Sequence, residues 1–183
     1  PFVELLKGSL RTFVNAWTFS DKTVYPVASQ NVQDFYNLVD VYLDAAFFPL
    51  NTRQTMLQEG WHYEIDDLND PLVFKGVVFN EMKGAYSDPD DLLGRYIEET
   101  LFPDTPYHFD SGGDPAAIPD LTYEQFKEFH DTYYHPSNAL LYFYGDDEPS
   151  ERLRIAAGYL DEFDAIEFHP EIPLQPKFDA PRH

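Results

Sequence analysis

Cysteine is absent from this 183-residue chain, so there is no disulfide framework, no thiolate metal site and no cysteine nucleophile. That absence leans toward an intracellular or organellar setting. Basic residues are scarce: 12 Lys and Arg stand against 33 Asp and Glu, a net charge of −21. Phosphate contacts need Lys and Arg, so nucleic acid is excluded as the expected partner, and an anionic membrane surface is disfavoured. No apolar run approaches the ~20 residues of a membrane span. No G-x-S-x-G elbow, no D-x-D-x-D-G calcium loop, no Gly-rich phosphate loop and no H-x-x-E-H run occurs. The chain also lacks a signal peptide and an initiator Met. Pro1-Phe2-Val3-Glu4-Leu5-Leu6-Lys7-Gly8 reads as the end of a helix already under way, which suggests a piece of a larger protein.

What is present is ample material for a core. Hydrophobic residues make up 43% of the chain, with 16 Phe, 13 Tyr and 2 Trp, too many for a disordered segment. The surplus of acid confers solubility and is compatible with a basic peptide partner drawn by long-range attraction.

Asn15-Ala16-Trp17-Thr18-Phe19 and Thr23–Ala28 read as strands around a Ser20-Asp21-Lys22 turn, an antiparallel hairpin interrupted at Pro26. Asn31 caps a helix to about Phe48, with Phe35, Leu38, Val39, Tyr42 and Ala46 inward and Asp34 mostly off the stripe. Thr52–Glu59 is a short helix stopped by Gly60, and Trp61–Ile65 is extended. Asp91–Leu101 is a helix that turns Leu92, Leu93, Tyr96, Ile97 and Leu101 inward. Phe102–Asp120 is a long loop. Thr122 and Gln125 form a capping box for a helix to about Tyr134. Ala139–Tyr144 reads as a buried strand, and Pro149–Phe163 as a helix with Leu153, Ala156, Ala157, Leu160 and Phe163 on one side. The expected class is α+β, a largely antiparallel sheet with helices packed on one face. Residues 1–168 read as one domain and 169–183, with four prolines, as a linker or strap.

The anomaly lies in Phe74–Ala85. At helical period Phe74, Val77, Val78, Met82 and Ala85 share a face, and Glu81 falls within that stripe. An unpaired buried carboxylate is expensive, so Glu81 needs a cation, a metal or several donors, or an edge position that reaches water. The histidines do not supply a helical metal pair. His130 and His135 are five apart, with Pro136 breaking the helix at His135, and His130 reads as a hydrogen-bonded core residue. Ser111-Gly112-Gly113 reads as a plain turn, with an anion-binding nest as the other possibility. The acidic loops Asp66–Asp70 and Ser87–Asp91 read as solvated. From these residues alone no complete metal or catalytic site can be assembled.

Six collinear blocks resemble the presequence-protease branch of the pitrilysin/insulinase superfamily, the inverted-motif zinc peptidases. They are Pro1–Ser9, Asn15–Thr18 with Asp21, Thr23, Tyr25 and Pro26, Gln58–Trp61, Val77–Gly84, Ser111–Pro115 and Tyr133–Ala139. The resemblance implies a zinc metalloendopeptidase that degrades unstructured peptides. It implies Zn2+ held by two histidines of an upstream H-x-x-E-H helix, whose Glu is the general base, and by a distal Glu that matches Glu81. It places residues 1–168 in the catalytic domain, which then lacks its H-x-x-E-H segment and is inactive alone. Its partners would be unstructured peptides and the remainder of the same polypeptide. The strand matching Asn15, Ala16, Trp17 and Thr18 would offer its edge to a substrate peptide. Glu59, Gly112, Gly113, His135 and Asn138 would keep the fold. The setting implied is intracellular, a bacterial cytoplasm or an organelle lumen (matrix or stroma). A non-catalytic relative serving as scaffold or peptide-binding subunit is the competing reading.

Overall fold

A computed structural model describes residues 7–168 and 170–181. The helix expected at the N-terminus, and His169 and His183, therefore lie outside the described residues or at their edge. The chain separates into two compact units. Within the described residues the first comprises 7–17, 23–50 and 127–168, and the second 18–22, 51–126 and 170–181.

In the first unit β1 (Arg11–Val14) pairs antiparallel with β4 (Val27–Ser29), with Val14 opposite Val27 and a register shift between Arg11 and Phe13. The pairing is carried past the strand end by Asn15 N–H, which donates to the Pro26 carbonyl at 3.1 Å. β2 (Trp17–Thr18) and β3 (Thr23–Val24) make a further short ladder. The interruption between β3 and β4 falls at Tyr25-Pro26, because Pro26 has a carbonyl to offer but no N–H.

α1 (Val32–Phe47) follows, and the Asn31 side chain caps it by accepting from Asp34 N–H at 2.9 Å. Its buried face carries Leu38, Val39, Tyr42 and Leu43. Leu38 and Tyr42 pack on Val14 and Val27 of the β1–β4 ladder. Val39 and Leu43 pack on Ala156 of α6 (Pro149–Leu160), with Phe143 alongside. The small Ala156 is what lets the two helices approach. Leu153, expected inward, stands 63% exposed, so α6 contributes a narrower stripe than its sequence suggests. His130, on α5 (Tyr123–Tyr133), bonds through Nε2 to the Ala46 carbonyl at 2.9 Å, as read from sequence.

Asp34 departs from expectation. Rather than lying off the stripe, it is buried and accepts from the Ser9 hydroxyl and from Leu10 N–H, each at 3.0 Å. Burial pushes its carboxyl up, but hydrogen bonds from Ser29, Ser9 and Leu10 outweigh that and hold it below the usual carboxylate range. A depressed folded-state value means that the stabilisation is present above the unfolded value of ~3.9 and is lost as pH falls through the folded one. In the parent protein, acid titration should therefore loosen the α1 N-terminus below about pH 4. Asp34→Ala should flatten that limb while lowering stability at neutral pH, which hydrogen exchange at the α1 amides would read.

Ala139–Tyr144 is extended but unladdered. Leu140, Tyr142 and Tyr144 are 91%, 81% and 87% exposed, and only Phe143 joins the core. A strand pattern fixes an alternation of faces, not a neighbour, and no strand among the described residues pairs with this one.

The second unit begins with α2 (Arg53–Thr55), capped by the Thr52 hydroxyl, which runs into a π-helical turn over Met56–Gly60. β5 (His62–Glu64) and β6 (Val73–Lys75) pair antiparallel, with Tyr63 opposite Phe74. α3 (Val77–Ala85) and α4 (Pro89–Leu101) follow, the latter capped by Asp88, which accepts from Asp90 N–H and Asp91 N–H. Thr122 and Gln125 bond reciprocally at the head of α5, as the capping box predicts. On α4 the expected inward residues Leu92, Leu93, Tyr96, Ile97 and Leu101 are all exposed. The α+β class and antiparallel pairing hold. Among the described residues the pairing is confined to three two-stranded ladders.

Candidate functional site

α3 positions Glu81, and two features of the sequence decide how. The first is Gly76, the residue before the helix. Its φ is +147°, and a Cβ there would lie 2.1 Å from the Gly60 carbonyl oxygen and 2.8 Å from the Trp61 Cα. Only glycine permits both the backbone turn and the close approach. The chain therefore switches from strand to helix at Gly76, and Phe74 belongs to β6 rather than to the head of a helical stripe. The second feature is the pair Phe79 and Met82, three residues apart. They are buried and join Ile118 in the core of this unit, with Trp61, Ala85 and Tyr86 against them.

The Glu81 stripe consequently faces the other way. Val77 and Val78 are 54% and 38% exposed, and Glu81 is exposed beside them. Among the described residues no hydrogen bond or ion pair engages the Glu81 carboxylate. Of the alternatives open in the sequence, the solvent-reaching position is the one realised here. Met82, on the predicted stripe, turns inward; Phe79, off it, turns inward as well. The i, i+3 spacing of Phe79 and Met82 was available in the sequence but competed with a longer valine-rich pattern.

Among the described residues no group of three or more His, Cys, Asp or Glu side chains could hold a metal ion. A zinc site needs three protein ligands and leaves a fourth position for water. This chain offers one corner of such a site: an unengaged carboxylate on a helix face that its own residues leave open. The donor chemistry of Glu81 fits zinc in that limited sense, and the remaining ligands would have to come from elsewhere. Three of the described histidines are otherwise engaged, and the buried Nδ1 of His108 has no hydrogen-bond partner among the described residues. His62 Nδ1 lies 2.6 Å from the Leu57 carbonyl, His130 bonds Ala46, and His135 Nδ1 accepts from Ser137 N–H at 3.1 Å.

The Asp110–Gly113 loop uses its amides internally. Gly112 N–H donates to Asp110 Oδ1 at 2.8 Å and Gly113 N–H to the Asp110 carbonyl at 3.1 Å, so the turn reading applies and no anion nest is open. The same loop lies directly on Met82, which the sequence did not signal.

Asn15, Ala16, Trp17 and Thr18 are all exposed. Asn15 Oδ1 accepts from the N–H of its own neighbour Ala16 at 2.9 Å, a bond that any incoming strand would have to displace. Trp17 packs its ring against Phe13 at 5.7 Å. The Thr18 carbonyl accepts from the Ser111 hydroxyl at 3.1 Å.

Residues 120–183, about a third of the chain, match the family described as "Peptidase M16 inactive domain". The chain is 62% identical over 167 residues to presequence protease 1, chloroplastic/mitochondrial, of Arabidopsis thaliana, covering 90% of this chain and 16% of that protein. It is 47% identical over 186 residues to the mitochondrial presequence protease of Mus musculus, covering all of this chain and 18% of that one. It is 54% identical over 183 residues to protein HypA of Clostridium perfringens, covering 98% and 19%. The chain thus spans less than a fifth of the length of these curated relatives.

Proposed function

Since this chain belongs to the presequence-protease branch of the pitrilysin/insulinase superfamily, we propose that it is a segment of a zinc-dependent metalloendopeptidase that degrades unstructured oligopeptides. The observation that carries the reading is Glu81. Its carboxylate is unengaged among the described residues, on the open face of a helix whose other face is locked into a core. That is the disposition required of a ligand contributed to a site completed by other parts of the polypeptide. Two histidines and the general base would come from an H-x-x-E-H segment outside this sequence, which contains no such run. Bound zinc would supply Lewis-acid polarisation of the scissile carbonyl and lower the pKa of a bound water. Glu81 holds one corner of that site, and residues 1–168 contribute to the catalytic domain, with 169–183 as a strap. The exposed Asn15–Thr18 stretch receives the peptide backbone as an added strand, a mode with little demand on sequence.

Relatives named as mitochondrial or chloroplastic/mitochondrial support an organelle setting, with the matrix or stroma as the proposed lumen, and the Clostridium perfringens relative supports a bacterial one. Among the described residues no helix is long and apolar enough to cross a membrane.

The family description for residues 120–183, with its word "inactive", favours a second reading, a non-catalytic scaffold or peptide-binding subunit. Cleavage of an unstructured peptide of ~20–40 residues by the intact parent separates the two. On the first reading a chelator reduces cleavage to background, added zinc restores it, and Ala16→Pro raises KM at unchanged zinc content. A parent that retains no zinc and cuts nothing would establish the second.

A further inference from the structure

We infer that Ser111 is a determinant of peptide binding, a side-chain cap on the Thr18 carbonyl that an added strand must displace. This rests on the reading of Asn15–Thr18 as the stretch that receives substrate backbone. Which main-chain groups that edge offers follows from its hydrogen bonds. Phe19 N–H donates to the Lys22 carbonyl at 2.8 Å across the turn, and Asn15 N–H donates to the Pro26 carbonyl at 3.1 Å. Successive residues of an extended chain turn their N–H and C=O to opposite edges. Residues 15 and 19 face the chain they already pair with, so Ala16 and Thr18 face outward. The outer edge therefore presents an N–H and a C=O from each. One group of each residue is taken. Ala16 N–H donates to Asn15 Oδ1 at 2.9 Å, and the Thr18 carbonyl accepts from the Ser111 hydroxyl at 3.1 Å. The Ala16 carbonyl and Thr18 N–H, on either side of Trp17, have no partner among the described residues. Such caps blunt a sheet edge, whose open groups otherwise pair with any extended chain.

The loop that carries Ser111 is seated by other bonds. The Tyr107 hydroxyl donates to Asp21 Oδ2 at 2.8 Å, a part-buried bond that ties the loop to the Thr18–Lys22 turn, and Lys22 Nζ donates to Asp21 Oδ1 at 3.0 Å. Gly112 N–H and Gly113 N–H both donate to Asp110, whose Oδ2 faces Arg95 Nη1 at 3.8 Å. Loop and turn belong to the same compact unit. The Ser111–Thr18 bond, by contrast, is exposed. Its loss frees an acceptor on the edge without unseating the loop. The sign of the effect follows. Removing the hydroxyl tightens peptide binding, because an incoming N–H no longer has a side chain to displace. A residue that merely supported the fold would weaken binding when truncated.

The test is the affinity of the intact parent for a fluorescently labelled unstructured peptide, read by anisotropy in excess chelator so that the peptide stays uncut, on protein shown to be folded by circular dichroism. Ser111→Ala should tighten binding about 2–10-fold, the worth of one exposed hydrogen bond. Ser111→Thr, which keeps the hydroxyl, should match the unaltered parent. Thr18→Pro removes the open N–H. That group faces away from the ladder, a place where proline is tolerated, so the hairpin persists and binding should fall about tenfold. Unchanged affinity in Thr18→Pro overturns the strand-addition reading and this inference with it. Weakened binding in Thr18→Pro together with unchanged or weakened binding in Ser111→Ala overturns the cap and leaves the edge standing. A parent that binds no peptide overturns both. If Ser111→Ala does not fold, Ser111→Val, the hydroxyl-free counterpart of Ser111→Thr, takes its place with the same expected tightening.

Discussion

Glu81→Gln in the intact parent is expected to lower zinc affinity by on the order of a hundredfold or more and to bring peptide cleavage to background. Four-ligand zinc sites bind with roughly 10–16 kcal/mol, so one ligand contributes on the order of 3 kcal/mol, about two powers of ten. Gln keeps the size and one carbonyl oxygen of the side chain but replaces the other oxygen with NH2 and removes the negative charge that would offset the dication. The folded state should barely notice. Glu81 is exposed and, among the described residues, makes no bond that the substitution breaks, so stability should change by within ~0.5 kcal/mol. Loss of metal and activity at unchanged thermal stability is therefore the expected pattern. Retention of zinc and cleavage would place the third ligand elsewhere.

The opposite pattern is expected for Gly76→Ala. Here the residue touches no substrate, and the effect is on the fold. A φ of +147° is strained for any L side chain, and the added methyl would meet the Gly60 carbonyl at 2.1 Å, with backbone rather than a movable side chain on the other side. Backbone strain of ~1–3 kcal/mol and overpacking of a similar size together reach roughly 3 kcal/mol or more. Relief requires β6 and α3 to separate from the Gly60–Trp61 backbone. That would uncouple the core of Phe79, Met82 and Ile118. In the parent, hydrogen exchange should accelerate at the α3 amides before it does at α1, which belongs to the other unit. Uniform protection in Gly76→Ala would show that the close approach is not needed.

These two substitutions separate what Glu81 does from what holds it. On the proposed reading, the contrast shows how an exposed carboxylate would serve as a precise ligand. The precision resides in the buried face of the same helix, not in contacts of Glu81 itself.

Elements whose signals lie in adjacent residues, and the family resemblance, were legible in the sequence. Capping chemistry is read from adjacent residues, so Asn31, Thr52 and the Thr122–Gln125 box appear where they were expected. Pro26 interrupts the hairpin because the missing N–H is a property of one residue. Collinear blocks such as Val77–Gly84 brought Glu81 forward before any geometry was known. Tertiary structure alone decided which face of a pattern is covered. Periodicity marks an apolar stripe but not what lies against it, so Leu92, Tyr96 and Ile97 on α4 and Leu140 and Tyr142 on their unladdered strand are exposed. It also decided the seat of α3. The meeting of Gly112 with Met82, and of Gly76 with Gly60, joins residues 30 and 16 positions apart, and no local signal encodes a distance that exists only once the chain is folded.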